Sequence, residues 1–227
     1  MSALISSQER IAVIGLGYVG LPVAIALAKV FPDTIGFDIN EKRVTSLASG
    51  HDWTGEVDDQ EMAATCLRFS HRAEDLQGYS FFIVTVPTPI DRMNKPDLEP
   101  IRSACRLIAP YVGRDAVVVF ESTVYPGVTE EVAGALLDEL TGLKNGTDYW
   151  LGYSPERINP GDKVHRLETI TKIIAAQTPE ALNRLENVYG AIVEVGLHRA
   201  PSIKVAEAAK VIENAQRDIN VAFMNEV

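Results

Sequence analysis

The chain has 227 residues, of which 46% are hydrophobic and 23% charged, a composition typical of a globular protein with a substantial core. Its formal net charge of -10 excludes a broad electrostatic attraction to nucleic acid or to an anionic membrane. The two cysteines, Cys66 and Cys105, have neither CxxC spacing nor neighbouring histidines, which argues against a metal site and a disulfide framework. We therefore expect a reducing, cytoplasmic location.

The first predicted strand, Ile11 to Ile14, leads into three glycines with the spacing Gly15-x-Gly17-x-x-Gly20. In this pattern the first glycine allows a tight turn, the second lets a pyrophosphate approach the backbone, and the third lets a helix pack on the strand. Asp38 ends a second apolar run roughly 20 residues further on, where a carboxylate accepts hydrogen bonds from ribose hydroxyls and repels a 2′-phosphate. The pattern predicts a dinucleotide site that prefers NAD to NADP.

The uncharged stretch from Ile11 to Ala28 also fits a short membrane span. Its three glycines, Pro22 and the lack of an aromatic belt argue against that interpretation. The polar first residues do not fit a secretory signal either. We therefore expect no membrane partner.

Short β-rich runs alternate with helical stretches along the rest of the chain, as in a parallel sheet covered on both faces. Strands are predicted at Thr34–Asp38, Ser80–Val86, Ala116–Phe120, Tyr149–Tyr153, Ile170–Ala175 and Ala191–Val195. Helices are predicted at Gly20–Val30, Glu41–Ser49, Leu98–Ala109, Val128–Leu140 and Pro179–Tyr189. We expect an α/β fold with a Rossmann-like, doubly wound, mainly parallel sheet in residues 1–200.

Two loops that follow predicted strands interrupt this alternation. Pro87-Thr88-Pro89 begins a polar loop, and Ser154 to Asp162 brings acid, base and amide side chains together in a short stretch. Open α/β sheets bind ligands at the carboxyl ends of their strands, so both are candidate binding loops. The alternative is a pair of turns stiffened by proline.

The last stretch, residues 201–227, is predicted to be one long helix. Pro201 suits a first helical turn, and no glycine or proline follows up to Val227. At about 1.5 Å per residue this helix would span about 40 Å, and no stop signal ends it. We expect the chain to be the first part of a longer protein.

Taken together, the motifs resemble the UDP-glucose/GDP-mannose dehydrogenase family, whose members oxidise the C6 alcohol of a nucleotide sugar to a carboxylate with two NAD. The matching stretches are GLGYVGLPVA at 15–24, VPTP at 86–89, ESTVYPG at 121–127, YSPERINPGD at 153–162 and AEAAKVIENAQRDINVAFMNE at 206–226. The loop SPERINPGDK is similar to the branch that acts on UDP-N-acetylhexosamines in surface polysaccharide synthesis. Neither the sugar epimer nor the nucleotide is fixed by this likeness.

The resemblance implies a role for each matching residue. The NAD-binding residues would be Gly15, Gly17, Tyr18, Val19 and Gly20 at the pyrophosphate, Asp38 and Arg43 at the adenosine end, and Thr88 and Thr123. The catalytic residues would be Thr123, Glu156, Lys210 and Asn214. Around the UDP-sugar, Arg157, Ile158 and Asn159 would join Glu156, Lys210 and Asn214. No metal is implied.

Three of these residues have a chemistry that suits the implied roles. A partly buried carboxylate at Glu156 would serve as acid and base, although an exposed loop acid is the alternative. Lys210 and Asn214, four residues apart on one helix face, would stabilise an oxyanion at C6. From spacing alone, a solvated helix face is the favoured interpretation of this pair, and the family resemblance reverses that preference.

One feature of the family is absent from the sequence, namely the nucleophilic cysteine in a glycine-rich motif beyond the long helix. Its thiolate captures the aldehyde as a thiohemiacetal. Cys66 and Cys105 are expected to be small core residues instead. The nucleotide-sugar domain is missing as well, so we expect this chain to bind NAD without completing the oxidation. The resemblance also implies a homodimer formed through the helix of residues 201–227.

Two other functions remain open. A β-hydroxyacid dehydrogenase shares the glycine pattern and a lysine and asparagine four apart, but has no evident use for the loop from Ser154 to Asp162. A non-catalytic NAD-binding module is the second alternative.

Overall fold

The computed structural model describes residues 9–156 and 171–227. Its strands are β1 (Ile11–Ile14), β2 (Ile35–Phe37), β3 (Arg68–Ser70), β4 (Phe81–Val84), β5 (Val117–Phe120), β6 (Trp150–Tyr153), β7 (Lys172–Ala176) and β8 (Leu197–Arg199). Its α-helices are α1 (Gly20–Ala28), α2 (Glu41–Ala48), α3 (Asp59–Ala64), α4 (Glu99–Ile108), α5 (Ala135–Thr141), α6 (Pro179–Gly190) and α7 (Ile203–Glu226). A π-helical turn, Val128–Gly134, precedes α5.

The eight strands form one sheet in the order β3-β2-β1-β4-β5-β6-β7-β8. Strands β1 to β6 all run parallel to one another, whereas β7 is antiparallel to β6 and parallel to β8. The strand order reverses between β1 and β4, which is the point where doubly wound sheets open a crevice for ligands. The predicted Rossmann-like, doubly wound and mainly parallel fold is confirmed.

Helices cover both faces of the sheet. Within β1, Ala12 and Ile14 pack in one buried cluster, and Ile11 and Val13 pack in the other. This burial on both faces explains why the strands are continuous apolar runs rather than alternating ones. Among the described residues, no helix combines the length and the hydropathy that crossing a membrane would require.

The predicted strand at Ala191–Val195 is wrong. Its β-branched residues Ile192 and Val193 are buried against the core where the chain leaves α6, and the strand begins only at Leu197. Gly196 has φ +109°, which lets the chain turn into that strand. Side chains that are buried just after a helix ends are apolar, as are those buried in a strand. The sequence pattern therefore did not distinguish the two.

The sequence analysis also missed α3 and β3, which are short and carry few apolar side chains. The long helix is confirmed as α7, and its first turns join the fold through the buried side chains of Ile203 and Ala206. Further along α7, Ile212 and Phe223 are each 65% exposed. A division into two units at residue 200 stays a prediction.

Candidate active site

A cleft of about 480 Å³ opens at the carboxyl ends of β1, β4 and β5. Its walls come from the glycine turn, the loops after β4 and β5, the segment after β6, and α7. The lining residues are Gly15, Gly17, Tyr18, Val19, Asp38, Thr85, Val86, Pro87, Thr88, Pro89, Glu121, Ser122, Thr123, Glu156 and Lys210. The structure thus brings residues from five separate sequence motifs into one cavity.

Each glycine of the turn has the geometry that its predicted task requires. Gly15 has φ +97°, a conformation that side chains rarely adopt. A Cβ on Gly17 would meet no atom within 4 Å, so this position leaves the backbone open to the cleft. A Cβ on Gly20 would lie 1.9 Å from the carbonyl oxygen of Gly15, so only glycine allows α1 to begin this close to the turn.

Thr85 holds the turn from the next strand, a role that the sequence analysis missed. Its Oγ1 donates to the carbonyl oxygens of Ile14, at 3.1 Å, and Gly15, at 2.7 Å. The only available signal was a hydroxyl at the end of an apolar strand, which sequence patterns cannot distinguish from an ordinary strand threonine.

The Asp38 carboxylate lies at the edge of the cleft and is held by backbone amides. Its Oδ2 accepts from Leu16 N at 2.8 Å, and its Oδ1 accepts from Asn40 N at 2.9 Å. A carboxylate oxygen has two acceptor positions, so each oxygen keeps capacity for a ribose hydroxyl. This arrangement fits the predicted role of Asp38.

The Arg43 side chain is buried and supports the turn from behind. Its Nε donates to the carbonyl oxygen of Leu16 at 2.9 Å, and its Nη1 lies 2.7 Å from Oδ1 of Asp52. Burial alone would raise the pKa of Asp52, but hydrogen bonds from Thr54, Arg43 and Val57 lower it. Arg43 is not one of the residues that line the cleft, so its direct contact with adenosine stays a prediction.

An apolar side pocket of about 230 Å³ adjoins Asp38. It lies between the ends of β1 and β2, the start of the loop after β4, and α4. Its lining residues include Ile14, Phe37, Ile39, Val86, Pro87, Pro100, Ala104 and Leu107. Next to the carboxylate that is predicted to bind a ribose, such a slot suits a planar base. The sequence analysis did not identify it, because its walls come from elements far apart in the chain.

The hydroxyl of Thr88 is an independent indication that the cleft binds a ligand. Its Oγ1 is buried, yet within the described parts of the chain it has no hydrogen-bond partner. Buried hydroxyls are normally paired, so an unpaired one on a cleft wall points to a polar group that binds there. Together with the open position at Gly17, this hydroxyl shows that the residues present fit a dinucleotide.

The loop after β5, which carries Thr123, is fixed to α7 by a buried carboxylate. Thr123 itself is exposed on the cleft. A few residues on, the backbone N–H groups of Gly127 and Thr129 donate to Glu207 at 2.6 and 2.9 Å. Glu207 lies one helical turn before Lys210, so these hydrogen bonds tie the loop that carries Thr123 to the part of α7 that carries Lys210.

Glu156 and Lys210 are both buried, each with a relative exposure of 8%, and both line the cleft. The alternatives of an exposed loop acid and a solvated lysine are therefore wrong. Oε2 of Glu156 accepts from Nζ of Lys172 at 3.3 Å. Asn214 lies one turn beyond Lys210, is half-buried, and is not among the residues that line the cleft.

Three of the predicted site residues, Arg157, Ile158 and Asn159, lie outside the described residues.

The two cysteines have different surroundings. Cys105 is a core residue, and burial raises the pKa of its thiol to about 12, which makes it a poor nucleophile. The expectation for Cys66 is wrong, because its side chain is exposed and its Sγ donates to the carbonyl oxygen of Ala28 at 3.3 Å. The described residues hold no group of three or more His, Cys, Asp or Glu arranged for a metal.

Comparison with known proteins shows the family of the chain. The profile of the UDP-glucose/GDP-mannose dehydrogenase family, NAD binding domain, matches residues 9–193. The chain belongs to this family. NAD is accordingly the dinucleotide that this domain binds, and family membership favours this class over a β-hydroxyacid dehydrogenase.

Two curated relatives show which members of the family the chain resembles. The chain is 52% identical over 220 residues to Protein CapL of Staphylococcus aureus, and 49% identical over 219 residues to the UDP-N-acetyl-D-glucosamine 6-dehydrogenase of Pseudomonas aeruginosa. These alignments cover 97% and 96% of this chain. Each covers 52% of the relative, so the chain spans about half the length of the curated relatives it matches.

The fold comparison agrees with the sequence comparison. The UDP-D-ManNAc dehydrogenase of Pyrococcus horikoshii superimposes with a TM-score of 0.88 at 37% identity. The match covers 96% of this chain and 52% of that protein.

Proposed function

We propose that this chain forms the NAD-binding half of a UDP-sugar 6-dehydrogenase that oxidises a UDP-N-acetylhexosamine in surface polysaccharide synthesis. One observation carries the proposal: Glu156 and Lys210, both buried, line the same cleft as the glycine turn and Asp38. A mere NAD-binding module has no use for a buried carboxylate and a buried lysine in the wall of the cleft. This arrangement favours an enzyme over the non-catalytic alternative.

The chemistry of these side chains fits the proposed oxidation at C6. Bound NAD would take up the hydrogen and electron pair that leave C6. Glu156 accepts and returns protons at the reacting oxygen or at a water, a task for which a buried carboxylate is suited. The ammonium of Lys210 stabilises negative charge on the C6 oxygen, and Asn214, one turn away, adds a neutral donor. Thr123 orients the attacking water from the opposite wall.

The substrate class rests on the relatives and on one loop. A second relative, from Salmonella typhi, is also a UDP-N-acetyl-D-glucosamine 6-dehydrogenase and is 46% identical over 221 residues. The loop from Ser154 to Asp162, which carries Arg157, Ile158 and Asn159, matches the branch that acts on N-acetylated sugars. We infer that these three residues contact the UDP-sugar.

A fusion protein tests the proposal. Residues 1–227 are joined to the half of the P. aeruginosa relative that this chain does not cover, and NADH formation is followed with UDP-GlcNAc, UDP-GalNAc and UDP-glucose. We expect two NADH per sugar, with an N-acetylated sugar preferred to UDP-glucose. The 227-residue chain and the second half, each alone, are expected to give no turnover.

The outcomes separate the hypotheses. A fusion that binds NAD but oxidises none of the three sugars contradicts the proposed function. Turnover by the 227-residue chain alone contradicts the expectation that a nucleophilic cysteine is needed from outside it. Preference for UDP-glucose rejects the substrate class and leaves the reaction intact.

We also infer that the protein is a homodimer and works in a reducing compartment, the cytoplasm. The dimer is supported by the row of exposed apolar side chains on α7, among them Ile212, Ile219 and Phe223. The compartment is supported by the unpaired state of Cys66 and Cys105.

A further inference from the structure

A buried ion cluster lies behind Glu156. Nζ of Lys172 is 3.1 Å from Oε2 of Glu121 and 3.3 Å from Oε2 of Glu156. The three side chains are 4%, 0% and 9% exposed, in the order Lys172, Glu121, Glu156. The hydroxyl of Tyr189 donates to Oε1 of Glu121 at 2.5 Å, and the ring of Tyr189 lies 5.2 Å from Nζ of Lys172.

The direction of β7 is what assembles this cluster. Glu121 directly follows β5, and Glu156 follows β6, so both lie at the carboxyl edge of the sheet. Because β7 is antiparallel to β6, its first residue, Lys172, reaches that same edge. In an all-parallel sheet the first residue of β7 would lie at the opposite edge, away from the cleft.

The ammonium is shared between two carboxylates. Burial alone would lower the pKa of Lys172, but the charges of Glu121 and Glu156 raise it above its ordinary value, so the ammonium stays protonated. Burial raises the pKa of Glu121, since no solvent reaches its carboxylate. A buried charge is stable only beside close partners, so removal of one charged partner changes the pKa values of the groups that remain.

We propose that Lys172 is a positioning residue for Glu156: its ammonium holds that carboxylate ionised and fixed at the edge of the cleft, and Glu121 competes for the same ammonium. Tyr189 keeps Glu121 in place by its hydrogen bond. Among the described residues that line the cleft, the charged ones besides Glu121 and Glu156 are Lys210 of α7 and Asp38. The inference deepens the proposed function, because an ionised Glu156 is ready to act as a base.

Because Glu121 and Glu156 compete for the ammonium of Lys172, two variants should shift the pKa of Glu156 in opposite directions. In Glu121→Gln, the ammonium of Lys172 keeps its ion pair with Glu156 and loses the one with Glu121, and the pKa of Glu156 should fall. In the double variant Lys172→Met with Glu121→Gln, Glu156 loses the buried ammonium of Lys172, and its pKa should rise by about one to three units above the wild-type value. Loss of the Glu121 charge by itself lowers the pKa of Glu156 in both variants. A rise in the double variant therefore reports the missing ammonium of Lys172, and a merely structural role of Lys172 predicts no rise.

The measurement is a titration of the 227-residue chain, labelled with ¹³C at the glutamate side-chain carboxyl, followed by NMR. Comparison with Glu156→Gln identifies the resonance of Glu156. The matched control is Lys204→Met, which removes a lysine whose partner, Glu131, is exposed on the surface. We expect this control to leave the midpoint of Glu156 unchanged.

Shifts in the same direction for both variants, or no shift in either, overturn the proposal. If the double variant does not fold, Glu121→Gln still decides, because an unchanged or raised midpoint contradicts the competition. The titration needs no sugar substrate. A fusion without turnover would therefore reject the proposed function while the coupling of Lys172 to Glu156 stands, and the reverse result is equally distinct.

Discussion

Gly20→Ala is expected to destabilise the chain by about 3 kcal/mol or more and to abolish NAD binding. The added Cβ would lie 1.9 Å from the carbonyl oxygen of Gly15 and 2.3 Å from Oγ1 of Thr85. The first of these atoms is backbone, so relief requires the turn itself to open. The second makes the two hydrogen bonds that hold the turn. Denaturant unfolding gives the loss of stability, and calorimetry gives the loss of binding.

Gly17→Ala is the matched control three residues earlier. A Cβ there meets no atom within 4 Å, so the free energy of unfolding should change by less than about 1 kcal/mol. NAD affinity should still fall, because the methyl group would occupy the space into which a pyrophosphate must approach. Equal loss of stability in the two variants would contradict the different tasks assigned to these glycines.

Glu156→Gln in the fusion protein is expected to slow turnover by about 10²- to 10⁴-fold. Glutamine keeps the size of the side chain and one oxygen that can accept from Lys172, but it cannot take up a proton. NAD affinity should stay close to wild type, because the glycine turn and Asp38 are untouched. Steady-state kcat and a separate NAD titration measure the two effects.

Glu194→Gln serves as the control for this variant. Glu194 is exposed in the turn between α6 and β8, so its replacement removes one carboxylate without touching the cleft. Turnover of Glu156→Gln within a few-fold of this control would remove Glu156 from the chemistry. A parallel loss of NAD affinity would reassign Glu156 to cofactor binding.

The cofactor side of the site could be predicted because its signals are local. The tasks of Gly15, Gly17 and Gly20 depend on φ and on contacts within one strand–turn–helix unit, and their spacing alone encodes these. Asp38 follows from the length of the same unit. The structure gives each of these four residues a geometry that fits its expected task, and their contacts with NAD stay predictions.

The catalytic side could be predicted only through the family resemblance. The burial of Glu156 and Lys210 depends on packing between β6, β7 and α7, which no spacing along the chain reveals. Lys172 was missed entirely, because its place at the cleft follows from the antiparallel direction of β7. Sequence alternation identifies a strand but does not give its direction.

The error at Ala191–Val195 has a similar origin. Ile192 and Val193 are buried, as predicted, but by a helix exit rather than by a strand. A short apolar run indicates that its side chains are buried, but it does not show whether the backbone there is a strand or the end of a helix.

Calorimetric titration of the 227-residue chain with NAD and then with NADP tests whether this cleft binds NAD through the glycine turn and Asp38. We expect saturable binding of NAD at one site per chain, at least about tenfold tighter than binding of NADP, which corresponds to about 1.4 kcal/mol. The 2′-phosphate would meet the Asp38 carboxylate, which backbone amides fix in place. No binding of NAD, or equal affinity for the two dinucleotides, would show that the cleft and Asp38 do not have these roles.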